Sequence, residues 1–253
     1  MSKKLIIDAE TWLYMYASSC IYSGEWMDHT NPGNTSTNTW MHFFRQSEAR
    51  QAFEDAVEAM QNICPDHSVL LAFGSKTNFR YSIYKNYKSN RRKTIKPAGY
   101  VEQLIPWAQS TWPSVQLDGV EADDVCGIEY EEGDVIASRD KDLLTLPGWH
   151  LRGDEISHVT EQQADHAFYT QCLTGDITDG YPGIKGCGPV KAERVLGVCT
   201  NQSQWWSAVL AAYKAAGHDA DFALTQARCA RILRSGEYDR ANKRPHLWEP
   251  VPF

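Results

Sequence analysis

Three short runs constrain this chain most: Leu5-Ile6-Ile7, Val69-Leu70-Leu71-Ala72-Phe73 and Val135-Ile136-Ala137. They are wholly apolar and too short for buried helices. They lack the polar alternation of a half-exposed strand, so each reads as a strand covered on both faces. Ser114-Val115-Gln116-Leu117 reads as a further short strand. Between them Trp12 to Ile21, Ser47 to Ile63, Gly99 to Gln109 and Glu121 to Tyr130 have helical character, with Ser47 as a cap. Phe53, Val57, Met60 and Cys64 mark one face of the second of these. Alternating strands and helices specify an α/β fold with a mostly parallel central sheet flanked by helices. Trp149 to Leu151 and Ile156 to Val159 read as a small hairpin, and polar Ser23 to Asn38 as a surface loop. Beyond Thr160 the pattern turns helical, over Glu161 to Leu173, Gln204 to Gly217 and Asp219 to Arg234. Lys243 to Phe253 reads as an irregular strap.

At 253 residues the chain can bury a full core without staples. No apolar run approaches membrane-spanning length, and the N-terminal apolar run is too short for a signal peptide. The seven cysteines form no C-x-x-C pair, which favours reduced thiols in a cytoplasm over a disulfide framework or zinc site. The expectation is a cytoplasmic protein with no membrane partner.

Acids cluster after the apolar runs. Asp8 ends the first, Asp140 and Asp142 follow the third, and Glu121, Asp123 and Asp124 follow Ser114 to Leu117. Massed carboxylates at the ends of buried strands repel one another and lose hydration unless a cation compensates them. Hard divalent ions such as Mg2+ prefer these oxygen donors. Asp8 alone reads first as a helix cap, and Asp123-Asp124 alone reads equally well as an exposed helix start. The charged triplet Asp140-Lys141-Asp142 ending a buried strand is harder to justify without a cation.

Two further stretches point to a polyanion. From His67 to Val101 there is no acidic residue, while Lys76, Arg80, Lys85, Lys88, Arg91, Arg92, Lys93 and Lys96 alternate with Phe79, Tyr81, Tyr84 and Tyr87. Basic and aromatic residues together suit phosphate contact and base stacking. A solvated basic helix is the plainer reading of such a run. Gly183, Gly186 and Gly188 allow a tight hairpin between helices, and Pro189 suits the first turn of the second. Free amides there, with Lys185 and Lys191, form a phosphate-binding corner. The formal charge of −7 does not exclude nucleic acid, since setting aside the candidate ligand carboxylates leaves the remainder close to neutral.

As a set, Leu5-Ile6-Ile7-Asp8, Tyr87-Lys88-Ser89-Asn90-Arg91, Gly119 to Asp124, Ser138 to Asp142, and Gly175-Asp176-Ile177-Thr178-Asp179-Gly180 with Gly183 to Gly188 resemble the 5′ nuclease family. That family comprises flap endonucleases and 5′–3′ exonucleases. Within it the chain most resembles exonucleases of short-tailed bacteriophages, through Gly175 to Gly183, Ala230 to Tyr238 and Leu247-Trp248.

The resemblance implies a PIN-like, resolvase-like catalytic domain over residues 1–160, with a basic arch at 76–100. A helical region with a helix-hairpin-helix (H3TH) motif would follow over 161–253. It implies two Mg2+ ions, with Mn2+ as a substitute, and K+ at the hairpin. Asp8, Glu121 and Asp123 would serve one ion. Asp123, Asp140, Asp142 and Asp179 would serve the other, with Asp124 and Asp176 in the surrounding shell. Lys88 and Arg91 would act on the scissile phosphate. Arg80, Lys85, Tyr87, Arg92, Lys93, Gly183, Lys185, Gly186, Gly188 and Lys191 would bind DNA. The implied activity is metal-dependent 5′–3′ exonuclease and flap cleavage of duplex DNA with a free 5′ end or flap, by a monomer, with RNA–DNA hybrids as a side substrate. Two ions about 3.5–4 Å apart would activate water and relieve phosphate charge. One departure stands out: Ser75 occupies a position where the family usually has an aspartate. It motivates a rival reading as a non-catalytic DNA-junction binder. A PIN-like ribonuclease is a third reading, opposed by the hairpin and by Tyr87 to Arg91.

Overall fold

The computed structural model describes residues 2–26, 39–90 and 98–251. Its first half runs β1 (Lys4–Asp8), α1 (Ala9–Ser19), β2 (Ile21–Trp26), β3 (Thr39–Phe44), α2 (Gln46–Ile63), β4 (Ser68–Phe73), α3 (Arg80–Ile83), α4 (Ala98–Thr111), β5 (Ser114–Gln116), α5 (Ala122–Glu129) and β6 (Val135–Ala137). A 3-10 turn at Asp142–Thr145 leads to β7 (Gly148–Arg152) and β8 (Glu155–Val159). Then come α6 (Glu161–Thr174), α7 (Pro189–Leu196), α8 (Gln202–Ala215), α9 (Ala220–Ala230), β9 (Tyr238–Asp239) and β10 (Arg244–Pro245).

The apolar runs form adjacent strands of a six-stranded sheet ordered β5-β4-β1-β6-β7-β8. All its neighbours are parallel except the β7–β8 hairpin. Successive side chains of a strand point to opposite faces. Leu5, Ile7, Leu71, Phe73, Val135 and Ala137 therefore enter one core with α1, α2 and α4. Ile6, Ala72 and Ile136 enter another with Val125, Ile128, Leu143, Ile232 and Leu233. Burial on both faces explains why these strands carry no polar alternation, and each large aliphatic side chain so buried contributes about 1.5–3 kcal/mol. The helices after Glu161 share a third core around Tyr169, Leu173, Trp206 and Tyr213, which Trp248 of the tail joins.

Some elements differ from the sequence reading. Of Ser23 to Asn38, read as a loop, residues 27–38 lie outside the described residues. The first residues of the stretch belong to β2, which pairs antiparallel with β3. Arg45, not Ser47, caps α2. The last helix stops at Ala230, and Arg231 to Leu233 continue in extended form into the core beneath the sheet, where Ile232 and Leu233 are buried. Among the described residues no helix is long and apolar enough to cross a membrane. All seven cysteines are free thiols.

Candidate active site

β4, β1 and β6 run parallel and finish level, with Asp8 opposite Ala72 and Ile7 opposite Ala137. The segments leaving them emerge on one edge, where sites assemble in such sheets. Asp8 is 3% exposed. One of its oxygens caps α1 by accepting from Thr11 N at 3.5 Å, and the other accepts from Ser138 Oγ at 2.9 Å. Ser138 Oγ in turn accepts from Asp140 N at 3.0 Å, and Asp140 Oδ1 from Asp142 N at 2.9 Å. Burial, with Asp140 nearby, pushes the Asp8 carboxyl above its ordinary range. Burial and the neighbouring Asp140 and Asp176 push Asp142 up to about 6.

Glu121 precedes α5 and faces cations. Its Oε2 accepts from Tyr87 Oη at 2.7 Å and lies 3.5 Å from Arg80 Nη1, while Lys88 Nζ donates to Oε1. Burial raises this carboxyl, but Arg80 and Lys88 outweigh it and hold Glu121 below its ordinary range. At Asp123 the same two cations pull downward but do not prevail. Burial and repulsion from Asp124 and Glu121 push it well up. The Asp176 to Tyr181 turn closes the group. Asp176 Oδ1 accepts from Thr178 N at 2.6 Å and Asp179 N at 3.1 Å, and Asp179 lies 2.9 Å from Tyr87 Oη and 3.6 Å from Lys88 Nζ. A cleft of about 640 Å³ is lined by Lys88, Asp123, Asp140, Asp142, Asp176 and Asp179 on the acidic side. Lys185, Gly186, Gly188 and Pro189 of the glycine hairpin line it too.

The sheet edge and the Asp176 to Tyr181 turn thus bring seven of the expected acids to one side, and the eighth, Asp124, is buried beside Glu121. Asp124 is fully buried, and its two oxygens accept from Arg80 Nη1 (2.7 Å), Arg80 Nη2 (2.8 Å), Glu121 N (3.0 Å) and Leu233 N (3.1 Å). That fills a carboxylate's acceptor capacity, so Asp124 is placed to orient Glu121 and Arg80 rather than to bind an ion directly. Arg80 is corrected. At 1% exposure it faces Asp124 and the carbonyls of Cys229 and Arg231, not DNA. Tyr87 is buried, and its ring joins the helical core while its hydroxyl orders Glu121 and Asp179, so it stacks on no base. Gly183 is buried, and its amide donates to Gln226 Oε1 at 3.0 Å. Lys85, Lys185, Gly186, Gly188 and Lys191 are exposed. Arg91, Arg92 and Lys93 lie outside the described residues.

Among the described residues no three His, Cys, Asp or Glu side chains stand close enough together to hold a metal ion as placed. The donor chemistry nonetheless suits a hard cation, since every candidate is a carboxylate and Asp8, Asp123 and Asp142 are pushed up by burial and mutual repulsion. The Lys88 ammonium stands among the acids, between Glu121 and Asp179. The sequence reading missed Glu10, in the first turn of α1, whose Oε1 accepts from Gly74 N at 2.9 Å. Its only signal was its place two residues after Asp8. Ser75 holds its own turn, with Oγ donating to Thr77 O at 2.6 Å and accepting from Gly119 N at 2.9 Å.

A family model described as the 5′-3′ exonuclease, N-terminal resolvase-like domain, matches residues 4–170. An exonuclease of Escherichia phage T7 is 27% identical, the match covering 97% of this chain and 93% of that protein. An exodeoxyribonuclease of Enterobacteria phage T3 is also 27% identical, over 97% and 92%. Among solved structures, the T5 D15 protein co-crystallised with metal ions superposes with a TM-score of 0.63 at 13% identity, covering 91% of this chain and 89% of that one.

Proposed function

Since the chain belongs to the 5′–3′ exonuclease family, we propose that it hydrolyses phosphodiester bonds of duplex DNA from a 5′ end or flap, using divalent metal ions. The observation that carries this is the cleft in which Asp123, Asp140, Asp142, Asp176 and Asp179 meet Lys88 and the glycine hairpin. The sheet part, residues 1–160, would carry the chemistry, and the helical part, 161–253, the duplex. Asp8, Glu121 and Asp123, with Asp140, Asp142, Asp176 and Asp179, would hold the metal, for which Mg2+ is the expected ion. Bound there, divalent ions would activate water and offset phosphate charge.

The remaining work falls to side chains in view. Tyr87 and Arg80 hold Glu121 in place from its inner side. Ser138 fixes Asp8, and through its contact with the Asp140 amide sets the start of the following acid pair. Lys88 would leave its carboxylate partners for a phosphate oxygen and stabilise the charge that builds there. Exposed Gly186 and Gly188, with Lys185 and Lys191, would take the duplex backbone at the start of α7. The test is release of a 5′ label from duplex DNA with Mg2+ and with chelator, beside Asp140→Ala. Metal-dependent release that Asp140→Ala abolishes, with DNA binding still measurable, is expected. Release in chelator, or full activity in that variant, would refute the metal assignment.

A further inference from the structure

The strand that precedes Ser75 ends at Phe73, and the acid expected just after it is missing. Another carboxylate reaches this place from α1. Glu10 Oε1 accepts the Gly74 amide at 2.9 Å, one residue from Ser75. A side chain on Gly74 could not fill the same space, because a Cβ there would lie 2.9 Å from Ala122 N and 3.1 Å from the Glu121 carbonyl carbon. The end of β4 is thus pressed against the start of α5, and Glu10 is the acid laid across the join. The Gly74 it holds lies against the Glu121 main chain, and Asp8, two residues before it, is paired with Ala72 of β4. An acid in the first turn of a helix is usually explained by the helix dipole. Here the carboxylate instead accepts from a different strand end, at the sheet edge where Asp8 and Asp140 gather.

We propose that Glu10 is a further carboxylate of the acid site, serving the metal side left short by Ser75. The proposal rests on the metal-dependent reading above. Ser75 is fully used in its turn, where it binds Thr77 and the Gly119 amide, and has no anionic oxygen to offer. Glu10 brings the charge back from the first turn of α1, with the Gly74 amide orienting it. A ligating carboxylate is commonly oriented by such a second hydrogen bond.

The test is calorimetric titration of the full chain with MnCl2, without DNA, in the parent, Glu10→Gln, Ser75→Asp and the double variant. Gln keeps the acceptor for Gly74 N and removes only the charge. Glu10→Gln should weaken Mn2+ binding about tenfold or more, within the range for carboxylates that tune metal sites. Ser75→Asp should change binding little in the parent and restore it in the Glu10→Gln background, a non-additivity that marks one shared role. DNA binding in chelator should not weaken in any of the four. Mn2+ affinity in Glu10→Gln within twofold of the parent, or an equal effect of Ser75→Asp in both backgrounds, would overturn the proposal. Where thermal unfolding shows that Glu10→Gln does not fold, Glu10→Asp, which draws the charge back by one methylene, is judged by the same outcomes. A parent that binds no Mn2+ and cleaves no DNA with metal overturns the wider reading and this proposal together. A parent that does both while Glu10→Gln is unchanged overturns this proposal alone.

Discussion

Lys88 sits in the left-handed backbone region at φ 52°, a conformation that costs a non-glycine residue about 1–2 kcal/mol. The surroundings enforce it. Its amide donates to Asp179 O at 2.6 Å, and Gly180 approaches so closely that a Cβ there would lie 2.7 Å from Asn86 O. Strain held in this way is a mark of functional sites. It delivers the ammonium between Glu121 and Asp179, at the cleft. Lys88→Ala should therefore slow single-turnover cleavage about 10²–10³-fold, the scale for losing one preorganised group that stabilises developing charge. Rapid-quench measurement at saturating enzyme checks this, and an unchanged rate would remove Lys88 from the chemistry. The residue was legible because its charge lies in a run free of acids. The partner of Asp124 was not legible, since Arg80, which claims it, lies far away in the chain.

Among elements, the pair of Arg80 and Asp124 joins three: α3, α5 and the extended chain after α9. Burying two charges is expensive, and removing one partner leaves the other uncompensated, a loss of about 3–5 kcal/mol. Arg80→Met should lower stability to urea by that order, and Arg80→Met with Asp124→Leu should recover part of it. No recovery would mean that the carbonyls and amides, rather than the charges, dominate the contact. The glycine hairpin offers a second contrast. Gly183 has φ 58°, and a Cβ there would lie 2.3 Å from Gly175 N, whereas Gly186 has φ 74° and open space. Gly186→Ala should cost only the backbone penalty of about 1–2 kcal/mol. Gly183→Ala should cost more than this and shift thermal unfolding further; equal shifts would contradict the packing. Both glycines carry the same letter, so only the fold tells them apart. The β2–β3 ribbon was hidden for a related reason. Its strands mix aromatic with polar residues and include Gly24, so neither a wholly apolar run nor a clean alternation marks them, while the buried strands announced themselves by their side chains. The helix reading that ran to Arg234 failed because Leu233 gives its amide to Asp124, a tertiary contact that ends the helical pattern early.

At the scale of the whole molecule, a chain with formal charge −7 must approach a polyanion. The acids that would serve the metal line the same cleft as the hairpin that would take the backbone. Without divalent ions the cleft should repel DNA, and the exposed Lys185 and Lys191 should carry most of the attraction. Calcium, which shares oxygen chemistry with magnesium, should then tighten binding relative to chelator. Asp140→Asn with Asp142→Asn should tighten the chelator state by itself. Two unit charges about 4 Å apart in water interact by about 1 kcal/mol, so each neutralised acid should be worth up to about fivefold in affinity. Lys191→Ala should do the reverse, weakening binding evenly across sequences and lowering the slope of log affinity against log salt by about one. Fluorescence anisotropy over a salt series measures all of these on one duplex. If neutralising the two aspartates leaves the chelator-state affinity unchanged while Lys191→Ala lowers the slope, the duplex docks on the hairpin without entering the acid cleft. The two parts of the cleft would then act on different stretches of DNA.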